Sequence, residues 1–349
     1  MRKERKANVI SKPCFCSRRS RSDVQCRELK IGWFVTTVLF FGWALTKAAA
    51  QSEHDVVVAA DGSGHVKTVQ AAIDKVPTHN SKQFVIFIKP GIYNEHVQIP
   101  PNKPYVSLRG EKTEETKITF NVKSAAGSSH RAACTAFIGG HDVHVENITF
   151  ENSFGPGAAA FALVANADRV VFKNCRFLGW QDTLYAKTGR QYFDNCYIEG
   201  SADFIFGQAT AVFENCTLHS KAFGYIAAPM RFSAVEPSGL VFIRCKLTAE
   251  KVDNEVFLGR PWRPYGRAIY IESEIGAHIR PEGWTNKGKP SNEKTAYFAE
   301  YNSKGPGANR AGRVKWSHQL GKDEARQFET ENFLKGDDGW NPKKAEEPL

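Results

Sequence analysis

The chain has 349 residues, with 47 Lys and Arg against 37 Asp and Glu and a formal net charge of +10 at pH 7. Residues 1–50 hold 11 of the basic and 3 of the acidic residues, so the remainder, with 36 against 34, has a net charge of only +2. The basic charge therefore gives no reason to infer nucleic-acid binding, because a nucleic-acid-binding domain carries its excess Lys and Arg on its folded surface.

The N-terminal segment has the pattern of a secretory leader. Basic residues 1–30 precede an apolar run at positions 31–45, and three alanines (48–50) stand directly before Gln51. This order predicts a signal peptide that is cleaved after residue 50, and the apolar run is shorter than the roughly 20 residues of a membrane span. Because the basic region is unusually long, a signal anchor stays open as the alternative. We expect residues 51–349 to form one secreted domain.

Two short elements begin the predicted domain. Residues 68–76 (TVQAAIDKV) have the apolar spacing of a short amphipathic helix, which Pro77 closes. Residues 84–88 (FVIFI) have the composition of a buried strand. We expect the helix to cap the first coil of the fold that follows.

Four later segments share one pattern: VFKNCRF (171–177), YFDNCYI (192–198), VFENCTL (212–218) and VFIRCKL (241–247). Their cysteines are 21, 20 and 29 residues apart, and VHVENITF (143–150) is a weaker copy. A period near 20 is typical of a solenoid, and units rich in β-branched and aromatic residues favour strands. We therefore predict an all-β fold, a right-handed parallel β-helix whose neighbouring coils bury each other's apolar faces. Near the end of the chain, residues 322–334 have helical spacing and are expected to pack on the outside.

Five cysteines follow position 50, and because this number is odd, at least one is free or pairs between chains. They are Cys134, Cys175, Cys196, Cys216 and Cys245. Four of them share one position of the repeat, which favours a stack of buried thiols. A Cys175–Cys196 disulfide is the alternative, because coils about 4.8 Å apart allow it by Cα distance. Two sequons, NIT (147–149) and NCT (215–217), fit a secreted glycoprotein.

Two aspartates stand at equivalent positions of the repeat. Asp182 follows Cys175 by seven residues and Asp203 follows Cys196 by seven, so adjacent coils should place them about 5 Å apart. Two carboxylates at that distance resist ionising together, and a protonated acid beside a carboxylate is a working acid and nucleophile pair. A ladder of solvated aspartates is the alternative. The apolar and aromatic neighbours of both residues make that alternative weaker.

A third segment, LGRPW (258–262), adds an arginine that can hold a carboxylate through two parallel hydrogen bonds and a tryptophan suited to stack on a sugar ring. With GIYNE (91–95), QDTLY (181–185) and DFIFG (203–207), it resembles the signature segments of pectin methylesterases, in the order of that family. The stretches 58–77 and 299–316 are similar as well. The resemblance covers about residues 55–340 and is to plant-type members without an inhibitor-like pro-region.

This resemblance implies hydrolysis of the methyl esters of homogalacturonan (pectin) to methanol and de-esterified pectin, with no metal or other cofactor. It implies Asp203 as the nucleophile, Asp182 as the acid and base, and Arg260 as the group that keeps Asp203 ionised. Gln181 would donate to the oxyanion of the tetrahedral intermediate. The residues implied to line sugar subsites are Tyr185, Phe204 and Trp262. The implied partners are methylated homogalacturonan and a proteinaceous pectinesterase inhibitor, with no nucleic acid and no membrane after processing, and the implied location is the cell wall.

One position departs from the family pattern. The family carries QAVAL twelve residues before the next cysteine, and the corresponding residues here are AAFAL (159–163), so Ala159 replaces a second oxyanion glutamine. Gln208 also stands where asparagine is more usual. Two alternatives stay open: a weak or inactive pectin-binding protein, and another pectin-active enzyme, a polygalacturonase or a lyase. An inverting glycosidase needs carboxylates roughly 6.5–9.5 Å apart, wider than one coil spacing. A lyase of this type would need an acidic calcium site, and none is obvious in the sequence.

Overall fold

The computed structural model describes residues 54–250 and 255–344, in which all strand pairs are parallel and successive coils stack on one another. The all-β, parallel β-helix prediction is therefore confirmed. The predicted leader, residues 1–50, lies outside the described residues. None of the helices described here has the length and apolar character needed to cross a membrane.

One row of strands forms an 11-stranded sheet along the length of the stack. Numbered in chain order, its strands are β1 (Val56–Val58), β2 (Phe84–Ile88), β5 (Val106–Gly110), β8 (Val143–Glu146), β11 (Val170–Lys173), β14 (Arg190–Asp194), β16 (Thr210–Glu214), β18 (Gly239–Ile243), β21 (Arg267–Ile271), β23 (Tyr297–Tyr301) and β24 (His318–Gln319). The five copies of the repeat supply β8, β11, β14, β16 and β18, so each copy contributes one rung to this sheet.

The remaining strands belong to a 13-stranded sheet that bends around the stack. They are β3 (Gly91–Asn94), β4 (Val97–Ile99), β6 (Thr116–Phe120), β7 (Cys134–Ile138), β9 (Thr149–Asn152), β10 (Phe161–Asn166), β12 (Arg176–Leu178), β13 (Leu184–Thr188), β15 (Tyr197–Gly207), β17 (Thr217–Pro229), β19 (Lys246–Ala249), β20 (Val256–Gly259) and β22 (Glu274–Ile275). The long strand β15 pairs with β12 through its first residues and with β13 through its last. The site described below lies at this bend.

The interior of the stack contains a column of aromatic rings. Phe172, Phe193, Phe213, Phe242 and Tyr270 lie on successive strands of the 11-stranded sheet, with ring centroids 4.5–4.9 Å apart and nearly parallel planes. All five side chains are fully buried. Stacked aromatic pairs contribute about 0.5–1.5 kcal/mol each beyond the area they bury. The column therefore fixes the register of the coils that carry the site.

The repeat cysteines and the asparagines before them form the next ladder. The four cysteines are buried in the core, and the five described cysteines are all free, which confirms the stacked-thiol prediction over the disulfide. Asn174 and Asn195 have left-handed φ values of 51° each. The Nδ2 of Asn195 donates to Oδ1 of Asn174 at 2.7 Å, so the turns are hydrogen-bonded from coil to coil.

A short helix, α1 (Val69–Lys75), packs on the first coil as the sequence predicts. The Thr68 hydroxyl accepts a hydrogen bond from the Ala71 N–H at 3.2 Å and caps its N-terminus. Its buried face consists of Val69, Ala72 and Ile73.

The C-terminal segment packs outside the 11-stranded sheet, as predicted, but residues 322–334 are not one helix. They form α2 (Lys322–Arg326) and α3 (Thr330–Phe333), separated at Glu329, whose ψ of 146° is extended. The break lets the Thr330 hydroxyl donate to Oε2 of Glu214 at 2.7 Å. Two 3₁₀ helices precede this segment: Pro290–Lys294 and Arg310–Gly312.

Candidate active site

The two aspartates predicted from the repeat lie on adjacent coils. In the pairing of β13 with β15, Leu184 is opposite Ile205 and Tyr185 is opposite Phe206, the same 21-residue offset that separates Asp182 from Asp203. The N–H of Asp182 donates to the carbonyl of Ala202 at 3.0 Å. The prediction that Asp182 and Asp203 occupy equivalent positions on adjacent coils is therefore confirmed.

Both aspartates have a left-handed backbone conformation that residues other than glycine rarely adopt. Their φ values are 62° for Asp182 and 53° for Asp203. In β15 this conformation coincides with a shift of register between Ala202 and Ile205, where the strand turns from one face of the stack to the next. Left-handed residues cost free energy and are concentrated at functional sites, where the surrounding structure holds them.

Asp203 forms a bidentate ion pair with Arg260. The Nε of Arg260 donates to Oδ1 at 2.8 Å, and its Nη2 donates to Oδ2 at 2.6 Å. Arg260 follows β20 directly, and its N–H donates to the carbonyl of Ala227 at 2.9 Å, which fixes the root of its side chain. Because Asp203 is only 4% exposed, this pair is shielded from water and stabilises the ionised carboxylate.

Asp182 is partly exposed to the cleft and has a different electrostatic environment. Burial, and then the negative charge of Asp203, raises the pKa of Asp182 to about 7, against the opposing effect of Arg260. Asp182 therefore gains or loses its proton near neutral pH. The site combines a carboxylate paired with an arginine and a neighbour that can give up or take back a proton near pH 7, which is the arrangement required for nucleophilic attack assisted by an acid.

The guanidinium of Arg260 is also held by two aromatic rings. Its Cζ lies 4.0 Å from the ring centroid of Tyr225 and 5.8 Å from that of Trp262. Tyr225 in turn stacks on Phe257 at 5.6 Å. Cation–π contacts of this kind contribute about 0.5–2 kcal/mol each. Tyr225 is not predicted from the sequence, because its strand carries no motif that connects it to the LGRPW segment.

A cleft of about 280 Å³ opens at the aspartates. Its floor is aromatic: the rings of Tyr185 and Phe206 stack at 4.2 Å, with Phe161 5.8 Å from Phe206. His130, on the loop before β7, lies edge-on to Tyr185 at 5.2 Å. Burial and the nearby charge of Lys187 lower the pKa of His130, so its imidazole is neutral at pH 7. The lining residues are Ser124, His130, Ala159, Phe161, Asp182, Tyr185, Asp203, Phe206, Ala228, Met230, Trp262 and Arg263.

Two of the three predicted sugar contacts, Tyr185 and Trp262, line the cleft, and the third does not. The prediction for Phe204 is wrong, because its side chain is fully buried in the interior of the coils. The left-handed conformation of Asp203 breaks the alternation of the strand and turns Phe204 inwards. Phe206, three residues after Asp203, occupies the cleft floor instead.

Gln181 and Ala159 are neighbours on adjacent coils. They form a parallel bridge, and the N–H of Ala160 donates to the carbonyl of Gln181 at 3.1 Å. Residues paired in this way project to the same face of a sheet. Ala159 lines the cleft, whereas Gln181 is not among the residues that line it. A glutamine at position 159 would therefore lie beside Gln181, and the alanine leaves that space without a donor.

Over residues 54–250 and 255–344, no three His, Cys, Asp or Glu side chains are grouped as ligands for a metal ion. The cation that the structure places beside the two aspartates is the guanidinium of Arg260, which pairs with Asp203.

The family whose model matches the chain is Pectinesterase, over residues 55–337. Pectinesterase 31 of Arabidopsis thaliana is 43% identical over 290 residues, which cover 80% of this chain and 92% of that protein. Putative pectinesterase 11 of the same plant is 40% identical over 285 residues, covering 80% of this chain and 79% of that protein.

Solved structures agree with these relatives. The pectin methylesterase from carrot has a TM-score of 0.81 at 33% identity, covering 85% of this chain and 97% of the carrot chain. A pectin methylesterase in complex with hexasaccharide VII has a TM-score of 0.70 at 27% identity, covering 83% of this chain and 98% of that chain. These likenesses confirm the right-handed parallel β-helix. By sequence and by fold, the chain belongs to the pectinesterase family of carboxylic ester hydrolases.

Proposed function

We propose that this chain hydrolyses the methyl esters of homogalacturonan, with Asp203 as nucleophile and Asp182 as the acid and base. The observation that carries the proposal is the pairing of an Arg260-bound carboxylate with a second carboxyl group whose pKa is raised to about 7. The aromatic floor of Tyr185 and Phe206 and the partly exposed Trp262 supply faces on which sugar rings can stack.

In the first half of the reaction, an oxygen of Asp203 attacks the ester carbonyl at C6 of a galacturonate. The tetrahedral intermediate collapses by breaking the bond to the methoxy oxygen, and Asp182 gives that oxygen its proton, so methanol leaves. The product is a mixed anhydride between Asp203 and the uronate. Arg260 favours the attack, because its two hydrogen bonds aim the carboxylate and keep it ionised.

In the second half, Asp182 is ionised and can take a proton from water. The resulting hydroxide attacks the uronyl carbonyl of the anhydride, and the bond from that carbonyl to the Asp203 oxygen breaks. The uronic acid leaves and releases its proton to solvent, so the product is a free carboxylate. Asp182 is then protonated again, so the cycle returns every group to its starting state. A pKa near 7 suits this double task, because the group gives and takes a proton at comparable cost.

Negative charge builds on the carbonyl oxygen in both halves. Gln181 is the side-chain donor that we propose for it, and Ala159 leaves the neighbouring place without one. A pectin-binding protein with weak or no activity is therefore the second candidate, and Ala159 is the observation that favours it. We further propose that the chain is secreted, because of its N-terminal pattern, and acts in the cell wall, where a proteinaceous inhibitor is a candidate partner.

The test is methanol release from highly methylated homogalacturonan by the secreted form of the full chain. We expect release without added metal, and Asp203→Asn should lower the rate by about three orders of magnitude or more. Asp337→Asn, on the exposed C-terminal tail, is the matched control and should be fully active. Binding of the polymer without methanol release would favour the second candidate, and chain cleavage with unsaturated products would indicate a lyase.

A further inference from the structure

A strained turn beside the cleft holds a lysine at a defined place. Lys287 and Gly288 both have left-handed backbones, with φ values of 58° and 68°. Asn286 stabilises the turn, because its Oδ1 accepts from the Gly288 N–H at 2.8 Å and its Nδ2 donates to Oε1 of Glu293 at 2.7 Å. A left-handed lysine costs free energy, and such costs persist where the surrounding structure over-determines the conformation.

The same turn is anchored to the strand that carries Arg260. The N–H of Thr285 donates to the carbonyl of Gly259 at 3.3 Å, one residue before Arg260. The ammonium of Lys287 lies 3.3 Å from the centroid of the Trp262 ring. Lys287 is half-buried in this position, so its charge is fixed against one wall of the cleft rather than free in solvent.

The positive charges of Lys287 and Arg263 at this wall have no ion-pair partner of their own within the described ranges. The carboxylate of Asp203 already pairs with Arg260. Burial and the charges of Arg260, Lys289 and Arg263 lower the pKa of Lys287, against the opposing effect of Asp203, so its ammonium form is less favoured here than in water. An anion bound between Lys287 and Arg263 would give both side chains an ion-pair partner and would favour the ammonium form of Lys287.

We infer that Lys287, with Arg263, binds the free carboxylate of a de-esterified galacturonate next to the ester that is being hydrolysed. This rests on the proposed function, which makes such a carboxylate in every turnover. A fully methylated chain is neutral and gives Lys287 nothing to pair with. A partly de-esterified chain offers an anion at regular intervals, so Lys287 would make it the preferred substrate.

The first experiment measures binding alone. Calorimetry at low ionic strength with fully de-esterified hexagalacturonate as the probe should show about tenfold weaker affinity for Lys287→Gln than for the wild type, the loss expected for one charge-assisted hydrogen bond. Lys287→Arg keeps the charge and should retain most of the affinity. Lys294→Gln removes an exposed lysine seven residues away, so it controls for the change in net charge.

The second experiment compares kcat/KM on fully methylated and on partly de-esterified homogalacturonan. Lys287→Gln should lower the preference for the partly de-esterified substrate about tenfold. Equal losses of kcat/KM on both substrates would mean that Lys287 only supports Trp262, and would overturn the inference. Unchanged binding of hexagalacturonate by Lys287→Gln would also overturn it, as would an equal loss of affinity in Lys294→Gln. Absence of methanol release by the wild type would instead refute the proposed function, and the binding result would still decide the role of Lys287.

Discussion

Replacing Asp182 by asparagine is expected to stabilise the folded protein at pH 8, although it removes a group that the proposed reaction needs. The pKa of Asp182 is raised to about 7 in the folded state, by burial first and then by the charge of Asp203. An aspartate in an unfolded chain has a pKa of about 3.9. Over the range between these two values, the folded protein holds a proton that the unfolded chain has released.

The sign of the pH dependence follows from this difference in bound protons. Because the folded state binds more protons between about pH 4 and pH 7, stability falls as the pH rises through that range. A difference of about 3 pKa units corresponds to a loss of about 4 kcal/mol in the free energy of unfolding. This destabilisation is absent below pH 4 and complete above pH 7. Asparagine resembles the protonated acid in size and does not titrate, so its advantage over the wild type should grow from near zero at pH 4 to about 4 kcal/mol at pH 8.

Thermal unfolding of both proteins at pH 5 and pH 8, followed by calorimetry, measures this effect. At about 2.1 cal/mol/K of unfolding entropy per residue, 4 kcal/mol corresponds to about 6 °C in Tm for a domain of roughly 300 residues. Asp203→Asn is the control of opposite sign, because it leaves the Arg260 guanidinium without its carboxylate and should lower Tm at both pH values. If Asp182→Asn melts no higher relative to the wild type at pH 8 than at pH 5, the raised pKa of Asp182 is refuted.

Three further outcomes concern catalysis. The kcat/KM for methanol release should fall about tenfold per pH unit above pH 7, because the first irreversible step needs the proton on Asp182; a flat profile from pH 7 to pH 9 would contradict that role. Tyr225→Leu should lower kcat by about threefold to tenfold through loss of the contact that holds Arg260, whereas Tyr225→Phe keeps the ring and most of the rate; equal losses in the two variants would implicate the hydroxyl group instead. Ala159→Gln should raise kcat, measured on the same methylated substrate as the wild type.

The coil architecture could be predicted because the repeat is a local property of the sequence. Spacings near 20 residues place equivalent positions on adjacent coils, and this alone brought Asp182 and Asp203 together. Four of the five stacked rings are also visible in the sequence as the second residue of the four cysteine-containing repeat units, whereas Tyr270 lies outside the repeat. The position of Arg260 needed the family resemblance, because 57 residues separate it from Asp203 and no period connects them.

The parts of the site that escaped prediction depend on backbone conformation and on loops outside the repeat. The family resemblance implies Phe204 as a sugar contact, and nothing in DFIFG reveals that Asp203 is left-handed and that the strand turns at this point. His130 reaches the cleft from an irregular loop, where sequence periodicity gives no information. Lys287 depends on a turn whose conformation is set by Asn286 and Gly288, and its contact with Trp262 is visible only in three dimensions.

The expectation for Ala159→Gln follows from the pairing of positions 159 and 181. Because these residues are bridged on adjacent coils, a glutamine at 159 would place a second amide beside Gln181, on the face where the oxyanion forms. A donor that acts only on the oxyanion stabilises the transition state more than the bound ester, so kcat should rise by more than KM changes. Losing one such donor costs about 10²–10³ in rate, which is the upper limit for the gain. The neutral imidazole of His130 lines the same cleft and makes no hydrogen bond within the described part of the chain, so it is one group that could already serve the oxyanion, beside Ser124 and Arg263. An unchanged kcat in Ala159→Gln, together with a large loss in His130→Ala, would show that His130 has taken over the task of the missing glutamine.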